Sequence, residues 1–152
     1  MSERMKNPAM VLPDALPALM GLSASIKASG VPEQTLDLLH LRASQINGCS
    51  FCVEMHTRAL KKAGEWDEKI ATVAAWRDAP YFTDAERAAL ALAESVTRLS
   101  DTPDAVPDAV WEEAKRHYDD VGIAGLLLSV ATVNVWNRLN VATRQVAGAW
   151  KG

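Results

Sequence analysis

Apolar residues along this chain recur at helical spacing, and no stretch alternates apolar with polar residues at the period of two that a half-buried strand requires. β-branched residues are scattered. The pattern predicts an all-α chain. A first helix is expected from about Asp14 to Ser29, with Pro17 tolerable in its opening turn and Gly30 as the stop. A second begins with Pro32 in its first turn and runs to about Ile46, with Leu36, Leu39, Ala43 and Ile46 at helical intervals. Asn47-Gly48 breaks it. The third spans about Cys49 to Ala63 and ends on Gly64 after Lys61 and Lys62, cations suited to a helix C-terminus.

A fourth helix covers about Asp67 to Arg77, before Pro80 breaks the chain. The fifth opens on Thr83-Asp84-Ala85-Glu86, a capping box in which hydroxyl and carboxylate satisfy free backbone donors reciprocally. It continues through Ala88, Leu92 and Val96 to about Leu99. Asp101 to Pro107 reads as a connector. A short helix from Asp108 to about His117 either stands alone or runs on into the last, from about Asp120 to Ala147. Leu126, Val130, Val133 and Val141 make that last helix apolar on most sides, the mark of a buried helix. In so small a domain another subunit is expected to supply part of the burial. The fold class expected is all-α, one compact bundle of about six helices over residues 1–152, with residues 1–12 peripheral.

Composition changes this picture little. The chain has 152 residues, 49 % apolar and 23 % charged, the balance of one ordinary globular domain. A net charge of −3 offers no electrostatic case for nucleic acid or an anionic membrane surface. Met1 to Met10 has no apolar core of a targeting signal. The stretch Val121 to Val133, interrupted by glycines and Ser129, is shorter than the roughly 20 residues a spanning helix needs. A cytoplasmic protein is expected, with no nucleic-acid or membrane partner. In that compartment two cysteines point to a metal site or to redox chemistry rather than a disulfide framework.

The chemistry concentrates in Cys49-Ser50-Phe51-Cys52-Val53-Glu54-Met55-His56. On a helix Cys49, Cys52 and His56 line one stripe. The position of Cys49, just after Asn47-Gly48, favours it as the more acidic thiol, because free N–H groups at a helix start stabilise a thiolate. His56 instead favours Cys52, whose proton it can accept one turn on. The two effects leave the choice of nucleophile open. Zinc would have three ligands from one rigid helix and no second cysteine pair. Haem attachment would need histidine where Val53 stands. A thioredoxin domain would need strands. Two inert core cysteines would leave the histidine in register unexplained.

The run Leu41-Arg42-Ala43-Ser44-Gln45-Ile46-Asn47-Gly48-Cys49, followed by Cys52 and His56, resembles the AhpD-like alkylhydroperoxidase branch of the carboxymuconolactone decarboxylase superfamily. Ala75-Trp76-Arg77, Glu86-Arg87-Ala88-Ala89-Leu90 and Asn134-Val135-Trp136-Asn137-Arg138 look like further family blocks, so the resemblance covers roughly Pro13 to Val141. It implies an all-helical homo-oligomer, trimer or hexamer, that reduces peroxides with no bound cofactor or metal. Cys52 would attack the peroxide and Cys49 would resolve the sulfenic acid as a disulfide. An external dithiol, carried by a partner protein and of lipoyl type, would reset the pair. His56 would share a proton relay with a carboxylate twelve residues before the first cysteine. That position is usually glutamate; here it is Asp37, one methylene shorter. Phe51 stands where relatives can carry histidine. Two other functions fit the same family: a thiol-independent lactone decarboxylase, against which the CxxC pair argues, and a non-catalytic redox-sensing oligomer.

Weaker candidates have plainer readings. His40, three residues beyond Asp37, pairs with it or faces solvent, with a part in the relay as the lesser alternative. His117 sits in a solvated helix end. Ser44 and Gln45 either orient backbone or bound water at the site or stabilise the turn into it, and the pattern fits both equally. Trp76, Trp136 and Arg138 read as core or subunit interface before substrate pocket. Glu86 is accounted for by the capping box.

Overall fold

A computed structural model describes residues 1–149, which form seven α-helices and, among those residues, no strand. They are α1 (Ala15–Ile26), α2 (Glu33–Asn47), α3 (Ser50–Lys62), α4 (Asp67–Ala71), α5 (Asp84–Thr97), α6 (Asp108–His117) and α7 (Asp120–Thr143). The all-α expectation holds. The count rises to seven because the short helix does not run on: Tyr118 is extended (φ −133°, ψ 136°) and Asp119 restarts the chain, its Oδ1 accepting the Gly122 N–H at 2.8 Å.

α2 is the central element, packed against α3, α5 and α7. Its Leu38, Leu39 and Leu41 are fully buried, joined in one core by Leu60, Leu90, Leu92, Leu126 and Val130. The α5 capping box forms as expected, with Glu86 N–H on Thr83 Oγ1 and Thr83 N–H on Glu86 Oε2. Glu86 does more: its other oxygen pairs with Lys69 Nζ at 2.8 Å in a buried position.

Two helices end early. The fourth was expected to reach Arg77, but α4 stops at Ala71 and a 3-10 turn (Val73–Ala75) follows. At the break the Thr72 hydroxyl bonds back to the carbonyls of Glu68 and Lys69. The last helix was expected to reach Ala147 but ends at Thr143. Arg144 adopts a left-handed conformation (φ 58°, ψ 45°), the one non-glycine residue to do so among those described. The chain then turns back onto α3, where Ala147 N–H meets Ser50 Oγ at 3.1 Å and Gly148 N–H meets Glu54 Oε2 at 2.6 Å.

Residues 1–12 are peripheral only in part. Asn7 and Ala9 are buried, and Arg4 N–H donates to Thr143 O at 2.9 Å, so this segment docks on the end of α7. α7 is long and apolar enough to cross a membrane, yet 56 % of that window is buried inside the bundle, as in a core helix. It is not apolar on every side toward its own chain: Val121, Leu128 and Val135 lie seven apart and remain exposed.

Candidate active site

The site is built at the α2–α3 junction. Gly48 ends α2 at φ +68°, a conformation that favours glycine, and Cys49 N–H closes the turn on Ser44 O at 3.0 Å. Cys49 is therefore extended (φ −86°, ψ 93°) and caps α3 rather than belonging to it. Its Sγ accepts the backbone N–H of Cys52 at 3.3 Å. The two cysteines, Cα atoms 5.4 Å apart, are joined as a disulfide and are 1 % and 0 % exposed.

The approach to the pair is held by a row of asparagines on α7. Asn47 Nδ2 donates to Asn134 Oδ1 and Asn137 Oδ1, both at 2.9 Å, and Asn137 Nδ2 donates to Ser44 Oγ at 3.0 Å. This is the physical role of Ser44 and Asn47 in the motif: they dock the junction onto α7. One turn further, Asn140 Nδ2 donates to Cys52 Sγ at 3.3 Å.

Asp37, on α2, meets His56, on α3, with 3.7 Å between Oδ1 and Nδ1. It also meets His40, Oδ1 to Nδ1 at 3.6 Å. The two imidazoles lie 4.8 Å apart between ring centres. Both contacts are longer than a hydrogen bond. His40 does not simply face solvent: its Nε2 lies 2.5 Å from Ser129 Oγ on α7. Asp37, His40 and His56 present ligand atoms within 4.8 Å of one another, a donor set that could also hold a metal ion. The zinc set weighed from sequence differs, and its two thiols are here tied to each other.

Burial pushes the His56 imidazole below the usual histidine range, and Asp37 only partly restores it. Burial thus favours the neutral imidazole, the form that can accept a proton. Burial raises Asp37, but His40 and His56 outweigh it and hold the carboxyl at about 2. Both groups have folded values below their unfolded ones. His56 therefore contributes stability above pH 6.5 that is lost as pH falls through its folded value. Asp37 contributes stability above its unfolded value, lost as pH falls through about 2. Replacing Asp37 with Asn removes the one group that raises His56. The imidazole NMR titration of His56 is then expected to move to still lower pH; an upward move would contradict this electrostatic account.

A cavity of about 500 Å³ opens beside the histidines. His56, Asp37, His40 and Ser129 line one wall; Ile26, Leu36, Met55, Val133 and Trp136 make the rest largely apolar, with Lys27 and Glu33 also on its lining. The sulfurs do not line it. Trp136 thus lines the cavity within this chain. Trp76 is core, its Nε1 donating to Glu94 at 3.0 Å, Arg138 is exposed on Asn134, and His117 pairs with Glu113 at the surface. Sequence reasoning missed Ser129, Asn140, Asn7 and Glu94. The three asparagines at intervals of three on α7, poor helix formers in an apolar helix, were the available signal.

Residues 13–95 match the carboxymuconolactone decarboxylase family, and the chain belongs to it. Within that family it is AhpD-like. It is 33 % identical over 132 residues to the uncharacterized protein YdfG of Bacillus subtilis (strain 168), covering 87 % of this chain and 88 % of that one. A crystal structure of ATU0492 from Agrobacterium tumefaciens, a protein of unknown function suggested to be the antioxidant defence protein AhpD, superposes with a TM-score of 0.87. That match is 34 % identical and covers 95 % of this chain and 97 % of the other. The debrominase Bmp8 shares the fold at a TM-score of 0.77, with 24 % identity over 90 % of this chain and 73 % of its own.

Proposed function

We propose that this protein is a dithiol-dependent peroxidase of antioxidant defence, working in the cytoplasm on organic peroxides. The observation that carries the reading is a cysteine pair one helical turn from a buried histidine that meets a carboxylate and lines a largely apolar cavity. In the disulfide form neither sulfur is a nucleophile, so Cys52 can attack peroxide only after an external dithiol has reduced the pair. Two thiols of the reductant supply two electrons and two protons, and leave as its disulfide.

His56 then takes the Cys52 proton. The thiolate attacks the terminal peroxide oxygen, the O–O bond breaks, and the alkoxide leaves as alcohol with the proton from His56. Cys52 is now a sulfenic acid. Cys49 sulfur attacks it, the S–O bond breaks, water leaves, and the disulfide returns. Asp37 stabilises His56 while it is cationic. The reductant we propose is a lipoyl-type dithiol on a partner protein. The exposed Val121, Leu128 and Val135 of α7 support a homo-oligomer packed along that face, a trimer or hexamer.

The test is consumption of an alkyl hydroperoxide with dihydrolipoamide as reductant. The parent protein is expected to turn over repeatedly and the Cys49→Ser/Cys52→Ser double variant to run at the uncatalysed rate. Equal rates in the two would end this reading.

A further inference from the structure

The sulfur of Cys52 has a dedicated donor that the disulfide, the histidine relay and the cavity do not require. Asn140 Nδ2 lies 3.3 Å from Cys52 Sγ, an ordinary distance for an N–H on sulfur, and Asn140 is 4 % exposed. The direction of this amide is decided elsewhere. Ala9 backbone N–H, which can only donate, meets Asn7 Oδ1 at 2.9 Å. Asn7 must therefore turn its Nδ2 outward, and it donates to Asn140 Oδ1 at 2.7 Å. With its oxygen so engaged, Asn140 has only N–H to offer the sulfur. The chain of donors runs one way, from a backbone amide near the N-terminus to Cys52.

We infer that Asn140 is a catalytic residue that holds negative charge on Cys52 sulfur, with Asn7 as the positioning residue that aims it. The inference rests on the thiol chemistry proposed above and adds the group that selects the nucleophile. A hydrogen bond to a thiolate is far stronger than one to a thiol or a disulfide sulfur, so a fixed N–H favours the ionised form. Cys49 has the helix N-terminus through the Cys52 N–H, but Cys52 has an aimed side chain as well as the histidine one turn on. The ionisable groups of the site are Cys49 and His56 on the sulfur's own segment, with Asp37 and His40 from α2 meeting His56. What α7 and the N-terminal segment bring to the sulfur is amides.

Asn134 and Asn137 spend their amides on docking the α2–α3 junction. Asn140 departs from that pattern: its donor goes to the sulfur and its acceptor to the N-terminal segment. A position that served only to fill space in this helix would be better filled by leucine or alanine.

The measurement is the pH dependence of Cys52 alkylation by iodoacetamide in reduced protein carrying Cys49→Ser, a change that keeps an N-cap acceptor. Asn140→Ala removes the N–H donor without placing a charge beside the sulfur. Its alkylation midpoint is expected to rise by about one pH unit or more. Asn7→Ala, which leaves Asn140 in place but unaimed, is expected to raise it by a smaller amount. Midpoints unchanged in both variants would overturn the inference. Raised midpoints in a protein whose parent consumes no peroxide would uphold it and overturn the peroxidase reading instead.

Discussion

Cys52→Ser is expected to lose peroxide consumption even in a single turnover, by at least about three orders of magnitude, whereas Cys49→Ser is expected to consume one equivalent and stop. The difference follows from the order of the two sulfurs. Cys52 lies on α3 one turn before His56 and receives the Asn140 N–H, so a proton acceptor and a charge-stabilising donor both serve it. Cys49 lies outside the helix, as its cap, and in the proposed cycle its part is to resolve. Without Cys49 the sulfenic acid on Cys52 has no internal thiol and should persist long enough to be trapped by dimedone as a single adduct found by mass spectrometry. Stopped-flow mixing of each reduced variant with one equivalent of hydroperoxide measures the split. The reverse pattern, with Cys49 carrying the adduct, would assign attack to the helix-cap sulfur.

The second large effect is on stability. Glu94 is 4 % exposed and accepts from three donors, Arg42 Nε at 2.7 Å, Arg77 Nη1 at 2.7 Å and Trp76 Nε1 at 3.0 Å, with the Arg98 guanidinium 3.7 Å away as an ion pair. Burial raises its carboxyl, but these partners outweigh that and hold it below the usual range. Glu94→Ala would leave the half-buried Arg42 and the buried Trp76 N–H without their acceptor. Removing one member of such a buried pair costs about 3–5 kcal/mol, which in a domain of this size lowers Tm by roughly 10 °C. Glu94→Gln keeps one acceptor oxygen and should cost less. Thermal unfolding of both variants checks this; an Ala variant melting with the parent would show that the network contributes nothing net. Arg42 lies on α2 seven residues before Cys49, so loss of Glu94 should also loosen the redox pair.

Much of the site was legible because its chemistry is local. Cys49, Cys52 and His56 fall within eight residues, and the helix stop at Gly48 and the Thr83 capping box are written in neighbouring residues. Asp37 came from likeness to a family. Its contact with His56 needed two antiparallel helices to be packed at a particular depth, which periodicity does not specify. His40 was undervalued for the same reason: on α2 it is a partly exposed histidine beside Asp37, and its contact with Ser129 on α7, 89 residues away in sequence, is set by packing alone. The early end of α7 was missed because the apolar pattern continues to Ala147, while the backbone is drawn away by contacts with Ser50, Glu54 and the N-terminal segment.

By itself, then, the order of residues determined an all-α chain, the places where most of its helices stop, and a dithiol set beside a histidine. Those features depend on hydrogen bonds and side-chain spacings within one or two turns, which a local pattern carries. Tertiary structure alone decided what surrounds the sulfur. Asn7 and Asn140 are 133 residues apart in sequence, and only the docking of the N-terminal segment on α7 makes them one line of donors aimed at Cys52. A direction of hydrogen bonding is a property of neighbours in space, and no spacing along the chain encodes it.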